Sequence, residues 1–177
     1  MSKTPSARYH PLQVSFHWLV VVLLFAAFIL GKYMSGLPND AAKIAPIGIH
    51  MILGFVTLFV MIARFVARLR LPKPASATTG NVFFDQIGKI VHYALYAFVF
   101  LMVMSGMALS LQSGLTSIVF GGSGASLPAD FFAFTSRMLH GFIAPALLLL
   151  VVLHVGAALY HQFLLKDNLL ARMWYGK

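Results

Sequence analysis

Residues 136–166 read SRMLHGFIAPALLLLVVLHVGAALYHQFLLK, an apolar run that contains three histidines, His140, His154 and His161. In an α-helix, 14 residues rise about 21 Å and turn to within about 40° of the starting face. His140 and His154 are 14 residues apart and therefore lie on roughly one face of the predicted helix. Because an ionisable side chain inside a membrane segment indicates a functional site, this spacing predicts one cofactor ligand in each half of a bilayer.

The composition indicates a membrane protein. Of the 177 residues, 60% are hydrophobic and only 10% are charged, which leaves no room for a sizeable soluble domain. The net charge of +9 comes from 13 Lys and Arg against four acids, and it indicates the cation bias of membrane loops rather than a nucleic-acid surface. The absence of cysteine excludes disulfides, cysteine-ligated iron–sulfur clusters and thioether-attached haem. Histidine and methionine remain as iron ligands.

Four apolar segments predict an all-α fold, an integral membrane four-helix bundle that forms one domain over residues 1–177. The predicted helices cover about 14–33, 47–66, 87–112 and 138–165. The first is interpreted as a retained transmembrane helix, because no small-x-small cleavage site follows it. Pro46 is expected to begin the second helix. A Pro/Ser/Thr/Gly linker and a long irregular loop separate the remaining helices.

The distribution of positive charge predicts the orientation of the bundle. Ten Lys and Arg fall on one side of it and three on the other. The ten are Lys3, Arg8, Arg64, Arg68, Arg70, Lys73, Lys89, Lys166, Arg172 and Lys177, and the three are Lys32, Lys43 and Arg137. Because cytoplasmic loops of membrane proteins carry the excess of Lys and Arg, we expect both termini in the cytoplasm.

This topology gives each membrane histidine a depth. His50 and His140 lie about one turn inside the outer surface and form the one candidate pair there. On the cytoplasmic side, His154 has two candidate partners, His17 and His92, and spacing does not choose between them. Two imidazoles from different helices are typical of axial ligation of a b-type haem. Pairs at two separate depths lack the third ligand that a zinc or copper site usually has.

The sequence resembles the bacterial cytochrome b561 family of four-helix, di-haem membrane proteins. The matching motifs are LQVSFHWLV at 12–20, IHMILG at 49–54, MIARFVARLRLPKP at 61–74, His92 with Tyr96 and Gly106, and the series His140, His154 and His161 followed by Lys166-Asp167-Asn168. The resemblance covers nearly the whole chain except the first ten residues and the loop near 113–135. It implies two b-type haems, with His17 and His154 ligating the cytoplasmic-side iron, and His50 and His140 the periplasmic-side iron. His92 would lie beside a haem without ligating its iron.

The resemblance also implies a superoxide:ubiquinone oxidoreductase of the bacterial inner membrane, which oxidises superoxide to O2 on the periplasmic side and reduces ubiquinone. His161 would bind the quinone and deliver a proton. The expected partners are therefore membrane lipid, superoxide and quinone, with no nucleic acid. The cations of the outer face, which outnumber Asp40 and Asp130 there, favour an anionic substrate.

Two other functions remain open on the sequence. One is an electron-carrier subunit that links quinone to a hydrogenase or dehydrogenase partner protein, although the short loops of this chain weigh against a large docking surface. The other is a membrane scaffold or transporter component without a cofactor. A preparation without the visible absorption bands of b-type haem would leave only this last function.

Overall fold

Residues 8–175 are described by a computed structural model of the chain, and within them the regular structure is entirely helical. The helices are α1 (Pro11–Ser35), α2 (Ala41–Arg70), α3 (Val82–Gln112), α4 (Leu115–Val119), α5 (Thr135–Tyr160) and α6 (Leu169–Arg172). A 3₁₀ turn covers Phe131–Ala133, and a π-helical turn, His161–Leu165, continues α5. Two cations of the predicted cytoplasmic side, Lys3 and Lys177, lie outside the described residues.

The three long helices α1, α2 and α3, and α5 together with its π turn, are each long and apolar enough to cross a membrane. Their outward side chains are apolar and exposed at the protein surface, as in Ile29 (70% exposed) and Phe142 (73% exposed). Such surfaces cover most of the length of each helix, and hydrocarbon is the solvent that suits them. The chain is thus a multi-pass membrane protein with four spanning helices, in agreement with the predicted fold class.

Each spanning helix begins three to six residues before the predicted segment. The first three have side-chain N-caps, His10, Asp40 and Asn81, and each cap accepts a hydrogen bond from the backbone N–H two residues later. Pro46 consequently lies inside α2 and does not begin it. The physical reason is that hydropathy marks only the part of a helix inside hydrocarbon, whereas polar caps lie in the interface.

The spanning helices form two pairs, α1 packed along α2 and α3 packed along α5. The two pairs adjoin each other mainly along α2 and α3. The four predicted haem ligands therefore lie on α1 and α2 of one pair and on α5 of the other. These histidines face one another across the space between the pairs.

A small buried cluster closes the end of the bundle that holds α4, which is called the outer end after the predicted orientation. It consists of Ile47, Leu115, Leu127 and Phe131 and joins α2, α4 and the segment before α5. Gly48 lets α4 approach closely, since a Cβ at this position would meet an α4 side chain at 2.8 Å. The sequence predicted an irregular loop in this region, so α4 and its packing are additions from the structure.

The opposite end holds both ends of the described chain. The backbone N–H of Tyr9 donates to the carbonyl of Arg172 at 3.1 Å, and the indole N–H of Trp18 donates to the carbonyl of Met173 at 2.9 Å. The start of α1 and the segment after α5 thus pack together on one side of the bundle, as an even number of spans requires.

Candidate functional site

The outer histidine pair joins α2 and α5. The ring centroids of His50 and His140 are 6.2 Å apart, with 75° between the ring planes. Nδ1 of His140 lies 2.9 Å from the hydroxyl oxygen of Ser105 on α3, and that hydroxyl donates to the carbonyl of Met102 at 2.9 Å. Because a hydroxyl has one hydrogen and this one is given to a carbonyl, Nδ1 of His140 is the donor. The lone pair of the imidazole is therefore on Nε2.

Each outer histidine also packs against a glycine of the other helix in its own pair. A Cβ on Gly31 would lie 3.5 Å from Cε1 of His50, and a Cβ on Gly106 would lie 3.2 Å from Cε1 of His140. The ring of His50 lies near the carbonyl of Ala27, although its buried Nδ1 makes no well-formed hydrogen bond within residues 8–175. Gly106 is one of the residues that carry the family resemblance, whereas no sequence pattern predicted a role for Gly31 or Ser105.

The inner pair joins α1 and α5. The ring centroids of His17 and His154 are 6.2 Å apart, with 71° between the planes. His92 on α3 is closer to His154, at 4.9 Å between centroids. Nδ1 of His92 lies 2.7 Å from the carbonyl of Gly88, and since a carbonyl only accepts, Nδ1 carries the hydrogen. The ring of His92 is thus held by its own helix.

These separations can be compared with the size of a two-imidazole iron site. A metal held at about 2 Å by one nitrogen of each of two opposed imidazoles puts the ring centroids about 6 Å apart. Both the His17–His154 and the His50–His140 separations fit this requirement, whereas the His92–His154 separation of 4.9 Å is too short. Two imidazoles at each of two depths form a donor set that suits haem iron.

His161 lies two turns beyond His154 and is buried, with 9% of its surface exposed. Its Nδ1 lies 2.6 Å from a carboxylate oxygen of Asp167. The π turn and the left-handed backbone of Lys166 (φ 55°) and Asn168 (φ 54°) bring this carboxylate back onto the helix end. Residues six apart in a regular helix do not face each other, so the sequence predicted no such contact. The one sequence signal for this contact was that the chain has only four acids, which makes an acid close to a histidine a candidate partner for it.

The three outer cations lie at the same end of the bundle. Lys32 lies in the last turn of α1. Lys43 donates to the carbonyl of Leu37 at 3.0 Å and to the side-chain oxygen of Asn39 at 2.9 Å. The guanidinium of Arg137 lies 4.8 Å above the ring of Phe132. These three cations outnumber the two acids, Asp40 and Asp130, at the end of the bundle nearer the His50–His140 pair.

Residues 8–176 match the family model described as prokaryotic cytochrome b561. The chain belongs to this family. The resemblance seen in the motifs is thereby confirmed, and the cytochrome b561-family chain is a membrane electron-transfer protein of the kind that carries b-type haem.

Similar proteins align over nearly the full length of the chain. Cytochrome b561 homolog 2 of Escherichia coli is 28% identical, with 97% of this chain and 93% of the relative covered. A probable superoxide oxidase, CybB, of Yersinia pestis is 28% identical over 94% of this chain and 95% of its own length. Cytochrome b562 of Cereibacter sphaeroides is 30% identical over 96% and 97%.

Proposed function

We propose that this cytochrome carries two b-type haems and oxidises superoxide to O2 on the periplasmic side of the bacterial inner membrane while reducing ubiquinone. Two superoxide ions each give up one electron, and the two electrons with two protons convert one ubiquinone to ubiquinol. The observation that carries the proposal is the pair of equal 6.2 Å separations, His17–His154 and His50–His140, between helices that belong to different pairs.

The proposed ligands are His17 and His154 for the inner iron and His50 and His140 for the outer iron. A haem held in this way accepts and returns single electrons. The contribution of the chain is to hold each imidazole in one orientation. At the outer site, Ser105 keeps the hydrogen of His140 on Nδ1 and leaves Nε2 for the metal, as surrounding hydrogen bonds commonly do for metal-bound histidines. His92 stands beside His154 as a neighbour and not as a ligand.

The proposed orientation has both termini in the cytoplasm. Eight of the described cations, from Arg8 to Arg172, belong to the end of the bundle that contains the start of α1, against three at the other end. The positive-inside rule then assigns the end with three cations to the periplasm. Lys32, Lys43 and Arg137 there raise the local concentration of a small anion such as superoxide.

The proposed quinone residue is His161. Its Nδ1 is engaged by Asp167 at 2.6 Å, which fixes the ring and leaves Nε2 for a quinone carbonyl. An imidazole paired with a carboxylate in this way is suited to donate a proton to a reduced quinone oxygen. We therefore assign proton delivery to His161 and orientation of its ring to Asp167.

Two measurements on one preparation test the proposal: haem per polypeptide, and quinol formation that depends on a superoxide source. We expect two haems and superoxide-dependent quinol. A protein with two haems that does not respond to superoxide would contradict the reaction and favour the alternative, an electron-carrier subunit for a hydrogenase or dehydrogenase. A purified protein without haem would contradict both functions.

Ligand variants test the pairing. His140→Ala should lose mainly the outer haem and His154→Ala mainly the inner one, because each removes a ligand of one site. Loss of both haems from either variant would contradict separate sites. His161→Ala should keep both haems and lose quinol formation. If His161→Ala loses a haem instead, its assignment to the quinone is wrong.

A further inference from the structure

Arg64 is a cation inside the span of α2 whose charge the described protein does not neutralise. Its Nη1 donates to the carbonyl of Gln13 at a long 3.4 Å, and its guanidinium carbon lies 5.9 Å above the ring of Tyr96. A guanidinium has five N–H donors in a planar fork. One weak hydrogen bond and one aromatic face leave most of this capacity unused in a partly buried setting.

The four acids of the chain are all engaged elsewhere. Asp40 caps α2 and Asp130 caps the 3₁₀ turn before α5. Asp85 accepts hydrogen bonds from Thr78 and Thr79. Asp167 binds His161, the one ion pair within residues 8–175. Because the sequence contains four acidic residues, no acidic side chain is left for Arg64.

A second polar group near Arg64 also lacks a partner. The hydroxyl of Tyr96 on α3 is buried and has no hydrogen-bond partner among the described residues. A buried hydroxyl without a partner costs free energy, and so does a charge in a membrane segment without a counter-ion. The same missing acceptor would satisfy both groups.

The position of Arg64 indicates which molecule would supply the missing acceptor. The guanidinium is an electrostatic neighbour of His17, His92 and His154, the residues of the inner site. It bonds to Gln13, one helical turn before His17 on α1, and therefore lies on the surface side of that ligand. A b-type haem carries two propionate carboxylates on one edge, and a guanidinium binds a carboxylate with two parallel hydrogen bonds.

We propose that Arg64 and Tyr96 form the binding site for a propionate carboxylate of the inner haem. The inference rests on the proposed ligation by His17 and His154. Arg64 supplies the charge and the forked donors, and the Tyr96 hydroxyl donates to the same carboxylate. Arg70 at the exposed end of α2 has no part in this site.

The test compares haem with its dimethyl ester, in which both propionates are esterified. The full-length chain with His140→Ala, which leaves the inner site alone, is reconstituted with each compound in detergent and titrated by visible absorption. Haem should bind about ten-fold or more tighter than the ester, the effect of one charge-assisted hydrogen-bonding group. Adding Arg64→Gln should remove most of this preference, Arg64→Lys should keep part of it, and Arg70→Gln should keep all of it.

A second readout uses the purified holoproteins without the His140 change. Haem loss to excess apomyoglobin should be about ten-fold faster for one of the two haems in Arg64→Gln and unchanged in Arg70→Gln. An undiminished preference for haem over the ester in Arg64→Gln would overturn the inference and leave the two-haem function intact. This would also be the result if Arg64 bound a lipid phosphate. Failure of both compounds to bind would overturn the inner haem and the inference together.

Discussion

Under the proposed ligation by His50 and His140, the hydrogen bond between Ser105 and His140 is expected to decide how firmly the outer haem is held. Ser105 is 4% exposed, and its oxygen lies 2.9 Å from Nδ1 of His140. Ser105→Ala removes this acceptor and leaves the buried N–H only the carbonyl of Met102, which costs about 0.5–1.5 kcal/mol, the net contribution of one hydrogen bond. Loss of such a supporting partner typically weakens a metal site by about ten- to a hundred-fold.

The assay follows each haem separately in purified protein. Haem per polypeptide should fall below two at low haem supply, and the loss should be confined to the outer site. The midpoint potential of the remaining outer haem should rise in a spectroelectrochemical titration, because an imidazole that loses a hydrogen-bond acceptor is a weaker electron donor to iron. The inner haem should keep its potential.

Ser110→Ala is the matched control. Ser110 is equally buried on the same helix, at 6% exposed, but its hydroxyl bonds to that of Thr116 at 2.8 Å and touches no histidine. It should leave both haems unchanged. Equal effects of the two substitutions, or an effect of Ser105→Ala on the inner haem, would refute the reasoning.

Two further substitutions probe other contacts. Gly106→Ala puts a Cβ 3.2 Å from Cε1 of His140, so the ring must shift by a few tenths of an ångström and the absorption spectrum of the outer haem should change. Gly88→Ala is the control, because a Cβ at Gly88 meets nothing within 4 Å, and it should leave that spectrum unaltered. Asp167→Asn removes the negative charge that faces His161 at 2.6 Å. It should lower superoxide-dependent quinol formation about ten-fold or more, because a hydrogen bond to a charged group is lost. Both haems should be retained. A loss of haem in Asp167→Asn would make this contact structural.

Much of the fold follows from one-dimensional patterns. Four apolar segments predict four spans because the backbone in hydrocarbon must form its hydrogen bonds internally, and a helix does so within each segment. The helix ends were less predictable, since caps such as Asp40 lie outside the apolar pattern. The packing of α4 against Gly48 was not predicted at all, because it depends on a long-range contact without a local sequence signal.

The candidate site also combines features that the sequence predicts with features that only the packing of the helices sets. Spacing along α5 separates His140 from His154 by depth, but it leaves both His17 and His92 available to His154. The ring centroids are 6.2 Å apart for His17 and His154 and 4.9 Å apart for His92 and His154, and the proposed ligation rests on the first separation, which suits a metal between two imidazoles. Ser105 and Gly31 likewise contact histidines of another helix, and no local sequence signal indicates these contacts. The return of Asp167 onto His161 depends on the π turn and the left-handed backbone that follows it.

The sequence by itself determined that this protein crosses the membrane four times and that two histidines on one helix lie at different depths. These properties depend on composition and helical periodicity, which are local. The tertiary structure decided which imidazoles face each other across the two helix pairs, that Nδ1 of His140 meets Ser105, and that Arg64 lies beside Tyr96. Those properties depend on distances between helices, and only packing sets them.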